Sequence, residues 1–428
     1  MSKEKSHLSL VKLGLVIGGI TGLLSTGFNY SVQKLIEIMM LYHPVSFKSR
    51  MILIPIVGGL FLGLIHKYFI GEADYGFGVS GVMEEIKSIN NYLMKPLVVL
   101  AKTFSTIFTL AIGWSAGKHG PIVYIGGAVG SWIGYTYNYS RDHIKILIAC
   151  GVSGALAGVF NEPIFATLFV LEVILHRDYL KYFTPVTVSA ISASAVTHVI
   201  GRDQRFIHIE GVFNIASDME LVWMVVLGLA MGLVAVAYIR TLKTTRQIFS
   251  KIQSPVLKGL LGGGIISGCG YFLPELYDIH LNSTAKIVEG QFGLKVLILL
   301  VIGKIILTGI TLGAGGVGGV FSPGLFIGAA SGYIVGMGID ILPFSSISGP
   351  DTYAVVGMAA MFAGFANAPL SATLLAVELT GQEGLILPFL ITTVVASVVT
   401  EAIQKDSIYG HSNFVWAGKE TISDEKNS

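Results

Sequence analysis

The sequence predicts an all-α protein that crosses a membrane many times, and three observations carry that reading. Only 13% of residues are charged and 53% are apolar, with a mean hydropathy of +0.72; soluble domains carry roughly 25% charged residues. Apolar stretches long enough to cross about 30 Å of hydrocarbon recur along the chain. Glycine is frequent, at 53 of 428 residues, and gathers at breaks between those stretches, where small residues permit turns and close helix contact. The net charge of +2 is spread over connecting loops, which gives no footprint for nucleic acid. Cys150 and Cys269 each stand alone in apolar surroundings, as packing residues do, so neither a metal nor another cofactor is expected.

Taken in order, residues 12–32 and 51–70 read as the first membrane helices, after a polar start without a cleavable signal. The turn Gly76-Phe77-Gly78-Val79-Ser80 leads to Glu84-Glu85, an acidic pair placed to complement the first turn of a helix. Residues 96–114 form the next helix, and Gly117-Lys118-His119-Gly120-Pro121 follows. Proline in a first helical turn loses no hydrogen bond, so this stretch reads as a loop opening a helix over 121–135. A helix start at membrane depth is a ready anion site, with oriented donors and a positive dipole end; a plain turn between packed helices is the other reading of the stretch alone.

Residues 143–159 and 163–175 are shorter pieces, broken at Phe160-Asn161-Glu162-Pro163. A polar loop with His176, Arg177 and Asp178 precedes 184–200, and the polar stretch 202–214 is expected outside the bilayer. Residues 221–239 open a second half and end in a basic run over 240–251. Stretches 257–272, 294–312, 321–339, 353–365, 369–379 and 387–403 complete the set. Many are too short to span alone, and broken helices are tolerated only where they line a cavity or are buried in protein.

The chain also echoes itself. Asn161-Glu162-Pro163 leads into Ala166-Thr167-Leu168 and Glu172, and Asn367-Ala368-Pro369 leads into Ala372-Thr373-Leu374 and Glu378. Two related halves with interrupted helices point to a transporter-type fold whose site lies at the breaks. A second glycine break, Gly313-Ala314-Gly315-Gly316-Val317-Gly318-Gly319-Val320-Phe321-Ser322-Pro323, again ends in a proline opening an apolar helix.

With these stretches the chain resembles the CLC chloride channel/transporter family. Gly76–Ser80 resembles the family's GxGxP segment, Gly117–Pro121 its G(K/R)EGP segment, and Gly319–Pro323 its GxFxP segment. Asn161-Glu162-Pro163 and Tyr409 fall where the family has an Asn-Ala-Pro turn and a pore tyrosine. The resemblance implies a fold of two inverted-topology repeats with short re-entrant helices. It implies a homodimer in the lipid bilayer with one chloride pathway per subunit, and a site in a bacterial inner membrane. Residues 1–11 would be a cytosolic lead-in, 12–409 the membrane domain with halves near 12–200 and 217–405, and 410–428 a polar tail without the family's CBS pair. The anion would meet Phe77, Gly78, Ser80, Lys118, His119, Gly120, Val320, Phe321 and Tyr409.

Departures from the family's pattern bear on mechanism. His119 stands at the gating glutamate: the two helix dipoles oppose its protonation, so a mostly neutral imidazole that mimics an anion poorly is expected, whereas one protonated in acid becomes a pH-sensitive anion ligand. Val173 stands where family antiporters keep a proton-carrying glutamate; Glu172, one residue earlier, points roughly 100° away on a helix and reads first as a structural or interfacial carboxylate. Glu162 replaces alanine and is an intramembrane acid of open role, either a proton group or a solvated loop residue. Phe77 replaces an anion-touching serine and Ser80 a helix-starting proline; the Phe77 ring edge could face an anion or close the inner mouth. With both proton carriers replaced, the expectation is passive, channel-like conduction. The alternative is anion/proton antiport using His119, Glu162 or Glu172. A hydrolase reading rests on Gly151-Val152-Ser153-Gly154 with His198, or on Ser115; both serines read better as helix-packing residues, so no enzyme activity is expected.

Overall fold

The computed structural model describes residues 7–41, 47–70, 78–87, 94–175, 179–201, 213, 215–277, 282–342 and 347–411. The first half comprises α1 (His7–Ile36), α2 (Phe47–Ile65), α3 (Val79–Lys87), α4 (Pro96–Ala111), α5 (His119–Thr136), α6 (Arg141–Phe160), α7 (Pro163–Phe169) and α8 (Tyr179–Gly201). The second comprises α9 (Glu220–Ser250), α10 (Pro255–Phe272), α11 (Asn282–Val288), α12 (Leu294–Gly313), α13 (Phe321–Asp340), α14 (Pro350–Ala366), α15 (Pro369–Thr380) and α16 (Ile386–Ile403). A turn between two short strands, Asp406–Ser407 and Gly410–His411, follows α16. Among the described residues, 8 helices are long and apolar enough to cross a membrane.

The two halves repeat each other element by element. The first helix of each half packs on the last, α1 on α8 and α9 on α16. Within each half a second pair, α5 with α6 and α13 with α14, crosses at facing glycines. A Cβ on Gly126 would run into the Gly151 carbonyl and the reverse; Gly328 and Gly357 stand in the same relation. The halves meet along α2 and α10, where Gly59 and Gly259 face each other's carbonyls. Lipid gives helices no hydrophobic reason to associate, so this close backbone approach supplies the packing. Hydroxyls finish the joints, with Ser25 donating to the Ala155 carbonyl and Thr400 to that of Gly232.

Element ends differ from the hydropathy reading for a physical reason: hydropathy marks lipid contact, whereas helices continue for as long as their hydrogen bonds do. Thus α1 begins at His7 rather than residue 12, and α9 runs unbroken through the basic stretch to Ser250. The seven-residue helix α11 is too polar for a hydropathy window to mark. A correction concerns Glu84 and Glu85: α3 starts at Val79, so the pair lies in its later part and its first turn carries no acid. Segment 163–175 holds a break in winding, α-helical to Phe169 and π-helical over Val170–Leu175. Phe77, residues 176–178 and nearly all of 202–214 lie outside the described residues, as does the tail beyond 411.

The glycine crossings give a direct test. Gly126→Val or Gly151→Val should cost about 1–3 kcal/mol through overpacking and lower the thermal unfolding midpoint in detergent. Gly264→Ala, in α10, meets nothing within 4 Å and should leave the midpoint unchanged or raised.

Candidate functional site: the junction of two half-helices

The two glycine breaks are joined to each other. The Gly117 N–H donates to the Gly319 carbonyl and the Gly319 N–H to that of Gly117, both at 2.6 Å. This isolated antiparallel bridge sets the start of α5, at His119, beside the start of α13, at Phe321. The first helical turn reaches the same place from a third direction. Gly78 adopts φ +66, a left-handed conformation that suits glycine, and a Cβ there would lie 2.8 Å from the Gly120 Cα. First-turn N–H groups have no acceptor within their own helix, and their dipoles place positive potential at this meeting point.

His119 is buried, 2% exposed. Its ring stacks on Phe160 at 4.1 Å and 15°, and tilts against Phe321 at 4.9 Å and 57°. Its Nδ1 lies 3.2 Å from Ser322 Oγ, a hydrogen bond that crosses from one half to the other. Lys118 and Gly120 flank it half-buried, and Ser80 lies half-buried at the start of α3. The buried Val320 gives its carbonyl to the Tyr238 hydroxyl at 3.1 Å. Tyr409 lies in the turn after α16, held near by the Ile408 N–H donating to the Phe365 carbonyl at 3.1 Å. Its ring meets Phe169 edge-on at 6.0 Å and 86°. The structure therefore gathers Gly78, His119, Gly120, Val320 and Phe321 at one junction, while Phe77 falls outside the described residues.

The repeated glutamates have an architectural role, the one the sequence favoured for Glu172. Glu172 accepts from the N–H groups of Leu370 and Ser371, at 3.3 and 2.9 Å, and from the Ser371 hydroxyl. Glu378 accepts from the N–H groups of Ile164 and Phe165, at 3.0 and 2.6 Å. Each half thus caps the short helix of the other, α7 and α15 being the helices that open at the Asn-x-Pro turns. Asn161 and Asn367 end the preceding helices in left-handed conformation, φ 61 and 54, and their side-chain oxygens accept from Ser194 at 2.7 Å and Ser397 at 3.0 Å. Glu162 is the half-buried residue before α7, and Val173 is buried.

Several residues at or near the junction escaped the sequence reading. Tyr238 lies within a long apolar run, with no local sign that its hydroxyl has a carbonyl to meet. Ser322 sits inside a recognised motif, yet its partner is 203 positions away. Lys102 and Lys304 are buried cations in apolar helices, 4% and 3% exposed, lost in window averages. Their ammonium groups sit over the rings of Tyr124, at 4.6 Å, and Phe326, at 4.8 Å, and Lys304 donates to the Leu276 carbonyl at 2.9 Å. Ser153 is fully buried while His198 is exposed, and Ser115 pairs with Thr308 at 2.9 Å, so neither serine meets a histidine as a hydrolase requires.

Residues 58–401 match the family model of the voltage gated chloride channel. The chain belongs to that family. Among its relatives is the H(+)/Cl(-) exchange transporter ClcA of Vibrio campbellii, 27% identical over 94% of this chain and 89% of that one. The putative chloride channel protein ClcB-like of Ralstonia nicotianae is 28% identical over 84% and 85%. The crystal structure of a slow cyanobacterial Cl−/H+ antiporter superposes with a TM-score of 0.83 at 27% identity, covering 95% of this chain and 97% of the other. Like the rest of the voltage gated chloride channel family, this is a multi-pass integral membrane protein of anion transport, and the matched span includes all three converging helix starts.

Two outcomes follow from the bonds described. Glu378→Ala removes a cap worth about 0.5–2 kcal/mol and should lower the thermal midpoint more than Glu378→Gln, which keeps an acceptor; Glu172 should behave alike. Tyr238→Phe removes one buried hydrogen bond, about 0.5–1.5 kcal/mol, and should weaken chloride binding measured by titration calorimetry as the Val320 carbonyl loses its restraint.

Proposed function

We propose that the chain exchanges a small inorganic anion, chloride first, for protons across a bacterial inner membrane. The observation that carries this reading is the meeting of two half-helix starts at a buried, titratable imidazole that is hydrogen-bonded across the halves. Backbone donors and dipoles at such a junction suit an anion, and an imidazole is a side chain that can bind and release a proton. Proton-coupled chloride exchange is also what the Vibrio relative and the cyanobacterial neighbour are named for. In this reading Val320, Phe321, Gly120 and the Tyr409 hydroxyl hold the anion, with Gly78, Ser80 and Lys118 beside them. His119 gates the pathway, and the proton is carried by His119, with Glu162 and Glu172 as the alternative carriers. The working unit is a homodimer with one pathway per subunit, residues 12–409 forming the transport domain.

Passive conduction is the second reading, and two observations favour it. Val173 is a buried apolar residue, and the Glu172 carboxylate is already engaged at the start of α15. Simultaneous records of chloride efflux and proton movement from proteoliposomes separate the two. Exchange predicts that chloride efflux drives proton uptake, and that His119→Ala cuts proton uptake roughly 100-fold, as removal of an acid–base group does, with a smaller effect on chloride. Chloride flux without any proton movement in the wild type would replace exchange by passive conduction.

A further inference from the structure

A chain of phenylalanine rings drawn from both halves links His119 to Tyr409. Phe160 meets Phe321 at 4.8 Å and 62°, and Phe165 at 5.2 Å and 83°. Phe362 meets Phe321 at 4.7 Å and 60°, and Phe165 at 6.0 Å and 71°. Phe169 then links Phe362 to Tyr409, both at 6.0 Å. Phe160, Phe165, Phe321 and Phe362 are all buried. Phe165 in α7 and Phe362 in α14 belong to none of the glycine motifs, yet they complete the cluster.

We propose that this aromatic box sets the selectivity of the pathway, so that weakly hydrated anions such as thiocyanate and nitrate are carried in preference to chloride, and chloride in preference to fluoride. The inference rests on anion transport through the junction. Rings that meet at steep angles present edges, which carry weak positive potential, and faces, which carry negative potential. An edge is a poor replacement for water. The nearby Tyr238 hydroxyl donates to the Val320 carbonyl, and that of Ser322 pairs with His119. An anion crossing the box therefore exchanges its hydration for backbone donors, ring edges and the Tyr409 hydroxyl, far fewer polar partners than water offers, and transfer of this kind is costly where lost hydrogen bonds go unreplaced. Fluoride holds water most tightly and thiocyanate least, which fixes the order.

The test measures initial efflux of potassium fluoride, chloride, nitrate and thiocyanate from proteoliposomes loaded at equal concentration, with valinomycin present. The wild type should carry nitrate and thiocyanate at least about fivefold faster than chloride, a ratio corresponding to ~1 kcal/mol, and fluoride slowest. Phe165→Tyr keeps the ring and adds a hydroxyl, and should bring the nitrate-to-chloride ratio toward unity; Phe362→Leu should do the same by removing a ring. Chloride or fluoride fastest in the wild type overturns the proposal without any variant being needed. It is equally overturned by a ratio unmoved in variants that elute and melt as the wild type does. Absence of flux for all four anions instead overturns the transport reading beneath it.

Discussion

The paired hydrogen bonds between Gly117 and Gly319 are the constraint on which the site depends. They are the point at which two loops, one from each half, become a single piece of structure. Without them α5 and α13 would be separate helices with solvated or lipid-facing starts. With them, two positive dipole ends face one space, an arrangement that repels itself unless something negative visits. The residues at the bridge must be small: a Cβ on Gly319 would lie 2.8 Å from the Gly120 nitrogen, and one on Gly117 3.1 Å from the Ser322 nitrogen. Glycine is therefore present for backbone approach, and the chemistry is left to the amides and to the side chains that follow.

A second joint stabilises the first. Glu172 and Glu378 exchange caps between α7 and α15, so each short helix has its start satisfied by the other half. Short helices at membrane depth cannot leave first-turn donors exposed to lipid, where an unsatisfied group costs several kcal/mol. The carboxylates meet that need, and the π-helical turn over Val170–Leu175 accompanies the capping residue Glu172. Glu172, which the sequence already favoured as a structural carboxylate, is thus part of the frame, so any proton role for it has to coexist with capping.

The histidine at position 119 is easier to understand beside its neighbours. A histidine needs a hydrogen-bond partner and a flat surface, and Ser322 and Phe160 supply one each. The serine lies on the opposite half-helix, so the ring ties the halves together just beyond the glycine bridge.

What the sequence determined by itself was local in origin. Low charge and recurrent apolar stretches fixed the membrane class, Gly-Pro punctuation fixed the breaks, and the Asn161 and Asn367 echoes fixed the two halves, because each signal is written within a few dozen residues. The residues of the junction that the breaks, and the family resemblance they carry, named in advance were Gly78, His119, Gly120, Val320 and Phe321. What only the tertiary structure decided was partnership across long separations: Gly117 with Gly319, His119 with Ser322, Glu172 with Ser371, Tyr238 with Val320, and the ring box completed by Phe165 and Phe362. In an apolar chain a phenylalanine facing lipid and one facing an ion pathway look the same in sequence. Which it is depends on the angle at which two helices cross, and that angle is set by glycines elsewhere in the chain.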